Sequence, residues 1–321
     1  MRSAEHELNE FSAFILAAGR GTRLYPYSQT MSKPLLPILN KPLIIHSIER
    51  LIEAGIENIG VVIKKEEQQI PILLQKKYPE RKFQYIIQKD PLGTGHAVLQ
   101  IENRVKTENF IVVAGDSLFS TKFLRNISLL HLKNQYSATL ALEEMDFEKM
   151  RFCSTVDYHN EQVWAIREKP QTEDEKLSNL NSAACYVFSS VIFNSLKKIE
   201  KTQRDEYEVA SAINHLIKRE MKVGGKITSQ IHHISNSYDL WKTNLNFLYK
   251  TKFKDAYGNL IAKDARINAS AELSNSIVGE KSRIRKGVKL EKTVVLPNSI
   301  INNSYKKSLV LSEYAETFTR E

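Results

Sequence analysis

The stretch "FILAAGRGTRLYPYSQTMSKPLLPILNKPLI", residues 14–44, runs an apolar β-type segment straight into a loop holding Gly19, Arg20, Gly21, Arg23 and Lys33. An uninterrupted apolar run of this kind suits a strand covered on both faces of a parallel sheet. Cations packed so closely repel one another unless an anion joins them. Glycines at 19 and 21 let backbone N–H groups converge on such an anion. Arg23 and Lys33 add charge that can follow a transferring phosphoryl group. The loop is not a Walker A motif, because no Gly-Lys-Ser/Thr closes it, and it lacks the third glycine of the dinucleotide fingerprint.

Strand and helix patterns alternate from this segment onward. "SAFILAA" (12–18) reads as a buried strand, and "PLIIHSIERLIEAG" (42–55) as a helix with Pro42 in its first turn and Gly55 as its stop. "IENIGVVI", "KFQYIIQ" and "NFIVVAGD" (109–116) read as further strands, with a helix near 66–77. This alternation predicts a Rossmann-like α/β layer, a mixed but mostly parallel sheet with flanking helices. Ligands in such sheets sit beyond the carboxyl ends of the strands. The opening loop, the "QKDPLGTGHA" loop and Asp116 all fall there.

After about residue 136 shorter strands (136–143, 152–157, 162–167, 182–188) and helices near 207–219 and 237–249 predict the second-substrate half of the same domain. Near 265 the pattern changes. Val278, Ile284, Leu290 and Leu296 are six apart, as are Ser282, Val288, Val294 and Ile300. That period predicts a short left-handed parallel β-helix of two to three hexapeptide-repeat coils, which needs cover from the main domain or another subunit. The expected division is a catalytic domain over 1–260 and a β-helix tail over 261–321. Every candidate site residue lies before 240, so the tail reads as a packing or assembly element.

Composition narrows the class. The chain has 321 residues, 42% hydrophobic and 26% charged, as in an ordinary globular protein. Cys153 and Cys185 are too few for a disulfide framework and fit no zinc spacing. The apolar run 11–18 is too short to span a bilayer, and the acidic "AEHELNE" before it is wrong for a signal peptide. A cytoplasmic setting is expected. The net charge of +9 comes from Lys and Arg spread along the whole chain, with neither the basic stripe of a nucleic-acid binder nor a basic amphipathic helix for a membrane. Such a surface helps gather anionic small molecules.

The motif "LAAGRGTRLYPYSQTMSKPLLPILNKPLI" resembles the signature of sugar-phosphate nucleotidyltransferases, which make nucleotide sugars from a sugar 1-phosphate and a nucleoside triphosphate. The resemblance continues through "QKDPLGTGHAV" (88–98), "VVAGDSLF" (112–119), "REKP" (167–170), "NSAACYVF" (181–188) and "EYEVASAIN" (206–214), covering roughly 12–250. It implies that Leu16, Ala17, Ala18 and Gly19 bring backbone groups to the base and ribose, and that Gly21 and Thr22 also bind the nucleotide. It implies Arg23 on the β- and γ-phosphates and Lys33 on the α-phosphate. Gln88 would bond the base edge, with Gly93 letting the base lie flat and Thr94 beside it. Asp116 would be the main Mg²⁺ ligand. Glu168 and Asn181 would hold the sugar, and Lys169 its phosphate. The second metal ligand would be Asn236 or His233, Asn236 having the better chemistry for a hard cation.

The sequence departs from the family in the sugar half. Cys153 stands where a glycine is usual, Ala183 and Ala184 replace a Thr-Gly or similar pair, and Ser211 stands where an aspartate is common. The expected reaction is Mg²⁺-dependent nucleotidyl transfer to a sugar 1-phosphate, with UTP or dTTP favoured. The alternatives are transfer to another phosphorylated alcohol such as phosphocholine, and a non-catalytic nucleotide-sugar-binding subunit. An acyltransferase role for the tail fails, since no histidine follows His233. A homo-oligomer formed through the tail is a further expectation.

Overall fold

The computed structural model describes residues 8, 11–29 and 31–319. The chain divides into two compact units, one running to Gly19 and then over Ser47–Ile231, the other over Arg20–His46 and His232–Glu321.

The first unit is built on a nine-stranded sheet. Its strands are β1 (Ser12–Leu16), β2 (Asn58–Lys64), β3 (Gln84–Gln88), β4 (Asn109–Ala114), β5 (Ala138–Glu144), β6 (Ser154–His159), β7 (Gln162–Glu168), β8 (Leu180–Ser189) and β9 (Val223–Ile227). The order across the sheet is β3-β2-β1-β4-β8-β5-β9-β7-β6. The four strands from β3 to β4 are parallel, and β8 runs antiparallel between β4 and β5. Then β9 is parallel to β5, and β7 is antiparallel to both β9 and β6.

The apolar runs of β1, β2 and β4 are buried almost throughout, as helices on both faces require. Phe110 sits at the centre of that core, edge-on to Phe14 at 6.1 Å and stacked on Phe193 at 5.3 Å. Helices Gln69–Lys77 and Val209–Lys218 fall where the sequence predicts them. Helix Leu43–Glu53 also forms, and Gly55, at φ 100°, closes its end. Thr121–Asn134 forms a fourteen-residue helix that the sequence reading does not anticipate.

In the second unit a short hairpin, Pro37–Ile38 with Lys41–Pro42, is joined to helix Ser237–Lys250 by Asn244, whose amide takes Leu39 N–H and donates to Pro37 O. Short parallel strands stack into the three sheets of a parallel β-helix. Leu260, Ile277 and Val294 are register partners, so each of these coils is 17 residues long. Two of its sides advance by six residues and the third by five.

The strict six-residue period expected from the sequence therefore fails at the third corner. Val295, not Leu296, follows Leu290 in the interior column. For the same reason Ile301 is fully buried and Ile300 is 42% exposed. Residues with left-handed φ, among them Asn275, Lys281, Lys292 and Asn298, turn the corners. No helix among the described residues is long and apolar enough to cross a membrane.

Candidate functional site

Within the first unit the carboxyl ends of β1, β4 and β3 carry most of the expected nucleotide contacts. Leu16 is the register partner of Ala114, and Gly115 N–H donates to Leu16 O at 2.9 Å. Backbone 16–19 and Asp116 thus leave the sheet side by side. Ala17 and Ala18 are buried, while Gly19 is exposed, and a Cβ built on Gly19 would meet nothing within 4 Å. That glycine opens onto space a ligand can enter. Asp116 is half-buried and its Oδ1 accepts the Ser117 hydroxyl at 3.1 Å. A carboxylate at a strand end is a hard oxygen donor suited to a divalent cation that keeps several waters.

Gln88 ends β3 and is only 6% exposed. Its amide nitrogen lies 3.3 Å from Gly93 O and 3.1 Å from His96 Nδ1. Gly93 has φ 107°, and a Cβ there would sit 2.5 Å from Tyr207 O. The pass of "EYE" 206–208 is therefore enough to require this glycine. Leu92 O accepts from Tyr207 N–H and Tyr207 O from Gly95 N–H, both at 2.8 Å. The Thr94 hydroxyl accepts from Val209 N–H at 3.2 Å, at the start of helix Val209–Lys218.

The residues expected to hold the sugar gather in the same unit, where β7 ends and β8 begins. Burial raises the Glu168 carboxyl from 4.5 to about 7, with Glu208 and Glu206 adding to the rise and Arg204 and Lys169 opposing it. Tyr186 is pushed upward by burial and by Glu168, and it accepts the Ser182 hydroxyl. Asn181 is 2% exposed. Its oxygen takes both the Ser154 N–H and hydroxyl at 3.0 Å, and its nitrogen donates to Glu143 at 3.1 Å. One amide hydrogen is left for a ligand, so Asn181 chiefly ties β6, β8 and β5 together.

Lys169 follows β7 at φ 47°, and its N–H donates to Cys153 O. The unusual Cys153 is thus bonded to the expected phosphate lysine. Ala184 also has a left-handed φ, 52°, within a bulge of β8 between Ser182 and Tyr186. Ala184 is one of the two alanines at which the sequence reading expects a Thr-Gly or similar pair.

In the second unit Arg20, Thr22 and Arg23 are exposed. Gly21, at φ 67°, lies against Lys33, since a Cβ on Gly21 would be 3.2 Å from Lys33 Cβ. Ser28 donates to Gly21 O at 2.8 Å and fixes the turn. The loop is anchored at two points on the β-helix. Tyr27, 2% exposed, donates to Leu309 O at 3.1 Å, and Asn40 donates to Val278 O at 3.0 Å. Asn236 caps helix Ser237–Lys250, its Oδ1 accepting Asp239 N–H at 2.9 Å. His232 and His233 form a two-residue strand.

The sequence reading missed Glu208, Glu143 and Tyr186. Glu208 was visible only as a carboxylate in "EYEVASAIN", and nothing in the local pattern marks the other two as neighbours of the residues expected to hold the sugar.

A family model described as nucleotidyl transferase matches residues 12–250. The chain is 31% identical over 251 residues to the bifunctional protein GlmU of Methanococcus vannielii, covering 77% of this chain and 57% of that one. It is 30% identical over 209 residues to the UTP–glucose-1-phosphate uridylyltransferase AglF of Haloferax volcanii, covering 64% of this chain and 83% of that protein. A crystal structure of UDP-glucose pyrophosphorylase complexed with UDP-glucose matches with a TM-score of 0.66 at 23% identity, over 75% of this chain and 99% of that one. That likeness bears on the fold alone. The chain spans about half the length of the GlmU proteins it matches.

Proposed function

The chain belongs to the nucleotidyl transferase family, and from that membership we propose that it moves a nucleotidyl group from a nucleoside triphosphate to a sugar 1-phosphate, releasing pyrophosphate. UTP is the preferred donor, with dTTP next. The observation that carries this reading is the side-by-side ending of β1 and β4, which sets the open backbone at Gly19 beside Asp116.

The acceptor phosphate is already an anion, so its oxygen bonds to the α-phosphorus without a general base, as the bond to pyrophosphate breaks. What the chain must add is alignment and neutralised charge. Backbone 16–19, Gly21 and Thr22 hold the nucleoside. Gln88 reads the base edge beside Gly93 and Thr94. Arg23 grips the β- and γ-phosphates and Lys33 the α-phosphate. Glu168 and Asn181 orient the sugar and Lys169 its phosphate. Asp116 would hold Mg²⁺, with Asn236 or His233 expected as a further ligand; the ion would supply charge neutralisation on the phosphates.

Residues 1–260 would carry catalysis, with 261–321 supporting the phosphate loop and assembly into oligomers. Two cysteines without a disulfide framework suit a cytoplasmic setting.

The test is incubation with Mg²⁺, each nucleoside triphosphate and a panel of sugar 1-phosphates plus phosphocholine, with pyrophosphate as readout. The expected result is release with UTP and a sugar 1-phosphate. Phosphocholine belongs in the panel because Cys153 and Ala184 alter the sugar half. Faster turnover with GTP or ATP than with either pyrimidine would refute the donor reading.

A further inference from the structure

Gln88, His96 and Gln100 form a chain that ends at the base-reading position. Gln88 Nε2 is 3.1 Å from His96 Nδ1, and Gln100 Nε2 is 3.1 Å from His96 Nε2. Both amides thus turn nitrogen toward one imidazole. A neutral imidazole has a single bare nitrogen, so it can accept from only one of them. Amide oxygen and nitrogen are told apart by the network and not by shape. One of the two amides must therefore present its oxygen to the ring.

The surroundings decide which. Turning Gln88 over would set its oxygen 3.3 Å from Gly93 O, lone pair against lone pair, on a side chain only 6% exposed. Turning Gln100 over opposes its oxygen to His96 O at 3.3 Å, but Gln100 is half-buried at a helix end, where water screens the contact. His96 O also keeps the Gln100 backbone N–H at 3.2 Å. Gln100 is the side chain that turns.

We propose that His96 is a specificity-determining positioning residue: with its proton on Nε2, donated to the Gln100 carbonyl, it accepts from Gln88 at Nδ1 and leaves Gln88 Oε1 as the one group facing the base. Both Gln88 amide hydrogens are then used, on Gly93 O and His96 Nδ1, and Oε1 takes no hydrogen bond from the described residues. An acceptor alone reads a ring N–H. Uracil and thymine offer one at N3, whereas cytosine offers a lone pair there. The opposite tautomer, with the proton on Nδ1, would turn Gln88 over and present N–H groups, which suit cytosine. The chain His96–Gln100 thus selects among pyrimidines without touching them. This rests on the reading of Gln88 as the base contact.

The test has a spectroscopic and a kinetic arm. Long-range ¹⁵N–¹H correlation of the imidazoles, above the usual histidine titration range and assigned with His96→Leu, should show a protonated Nε2 and a bare Nδ1 at His96. The reverse tautomer overturns the proposal. In kinetics, Gln100→Lys can only donate, so it forces Nε2 to accept and Nδ1 to carry the proton. The UTP-to-CTP ratio of kcat/KM should then fall by roughly tenfold or more, the scale of one mispaired buried hydrogen bond. His96→Leu should lower the same ratio. If Gln88→Ala lowers it and the other two variants do not, the relay is wrong while Gln88 still reads the base. If Gln88→Ala leaves it unchanged, the base reading falls and the relay with it.

Discussion

Replacing Glu168 with glutamine should make the protein markedly more stable at pH 8 and only slightly so at pH 5. The carboxyl is raised from 4.5 to about 7, chiefly by burial and then by Glu208. Between those values the folded chain holds a proton that the unfolded chain has released. Stability therefore falls as pH rises through that interval, and the penalty is constant once both states are ionised. At 1.36 kcal/mol per pH unit, the interval from 4.5 to about 7 bounds the effect at about 3 kcal/mol. The amide of Glu168→Gln never ionises, so it escapes this penalty. For a chain of 321 residues the gain is on the order of 4 °C in Tm. Thermal unfolding of both proteins from pH 5 to 8 reads it directly. A Tm difference that stays flat across that range would show that the carboxyl is not held out of water.

The remaining expectations are simpler. Arg23→Ala and Asp116→Ala should each cost about 10²–10³ in rate, as lost charge-stabilising groups do, with Tm little changed; normal pyrophosphate release in either would remove that residue from the site. Ala184→Gly relieves a left-handed residue at φ 52°, worth about 1–2 kcal/mol, against about 0.5–1 kcal/mol for added chain entropy. The net gain should appear as a higher denaturant midpoint, and a lower one would mean that the bulge imposes no strain. Tyr27→Phe removes the bond to Leu309 O, at about 1 kcal/mol, and should raise KM for the triphosphate while leaving KM for the sugar phosphate alone. Equal triphosphate KM in mutant and wild type would show that the phosphate loop does not lean on the β-helix.

Much of the first unit was legible because its strands are near-continuous apolar runs and its helices have clean stripes. Helix Thr121–Asn134 was not, because its buried face includes Ser128 and His131. His131 sits there bonded to Thr139 and Asn109, with burial lowering it to about 4. Strand Val223–Ile227 was hidden by paired glycines. A Cβ on Gly224 would lie 2.3 Å from the Tyr136 ring, so packing from a distant residue overrides strand propensity there.

Of the candidate site, the glycine-rich loop after β1, Gln88 and Asp116 stand out in local motifs. The double use of Asn181 and the two nitrogens turned on His96 do not, since each depends on partners whose orientation no spacing encodes. The five-residue third side of the β-helix escaped for a related reason. Two sides of each 17-residue coil do keep a six-residue step, and only the register reveals the slip.

The anchoring of the loop that carries Arg23 and Lys33 on distant carbonyls has a consequence for synthesis. Residues 20–46 belong to a unit completed only by residues 232–321. Between Asn40 and the Leu309 carbonyl that receives Tyr27 lie more than 260 positions of chain. At about 5–20 residues per second a ribosome needs roughly 13–50 s to cover them. The strands of the nine-stranded sheet are all translated by Ile227, while the loop that carries Arg23 and Lys33 still has no β-helix to rest on. A nascent chain interrupted in that window would hold a complete sheet and an unsupported loop. Competence for the triphosphate would then arise only after the strand containing Leu309 has left the ribosome.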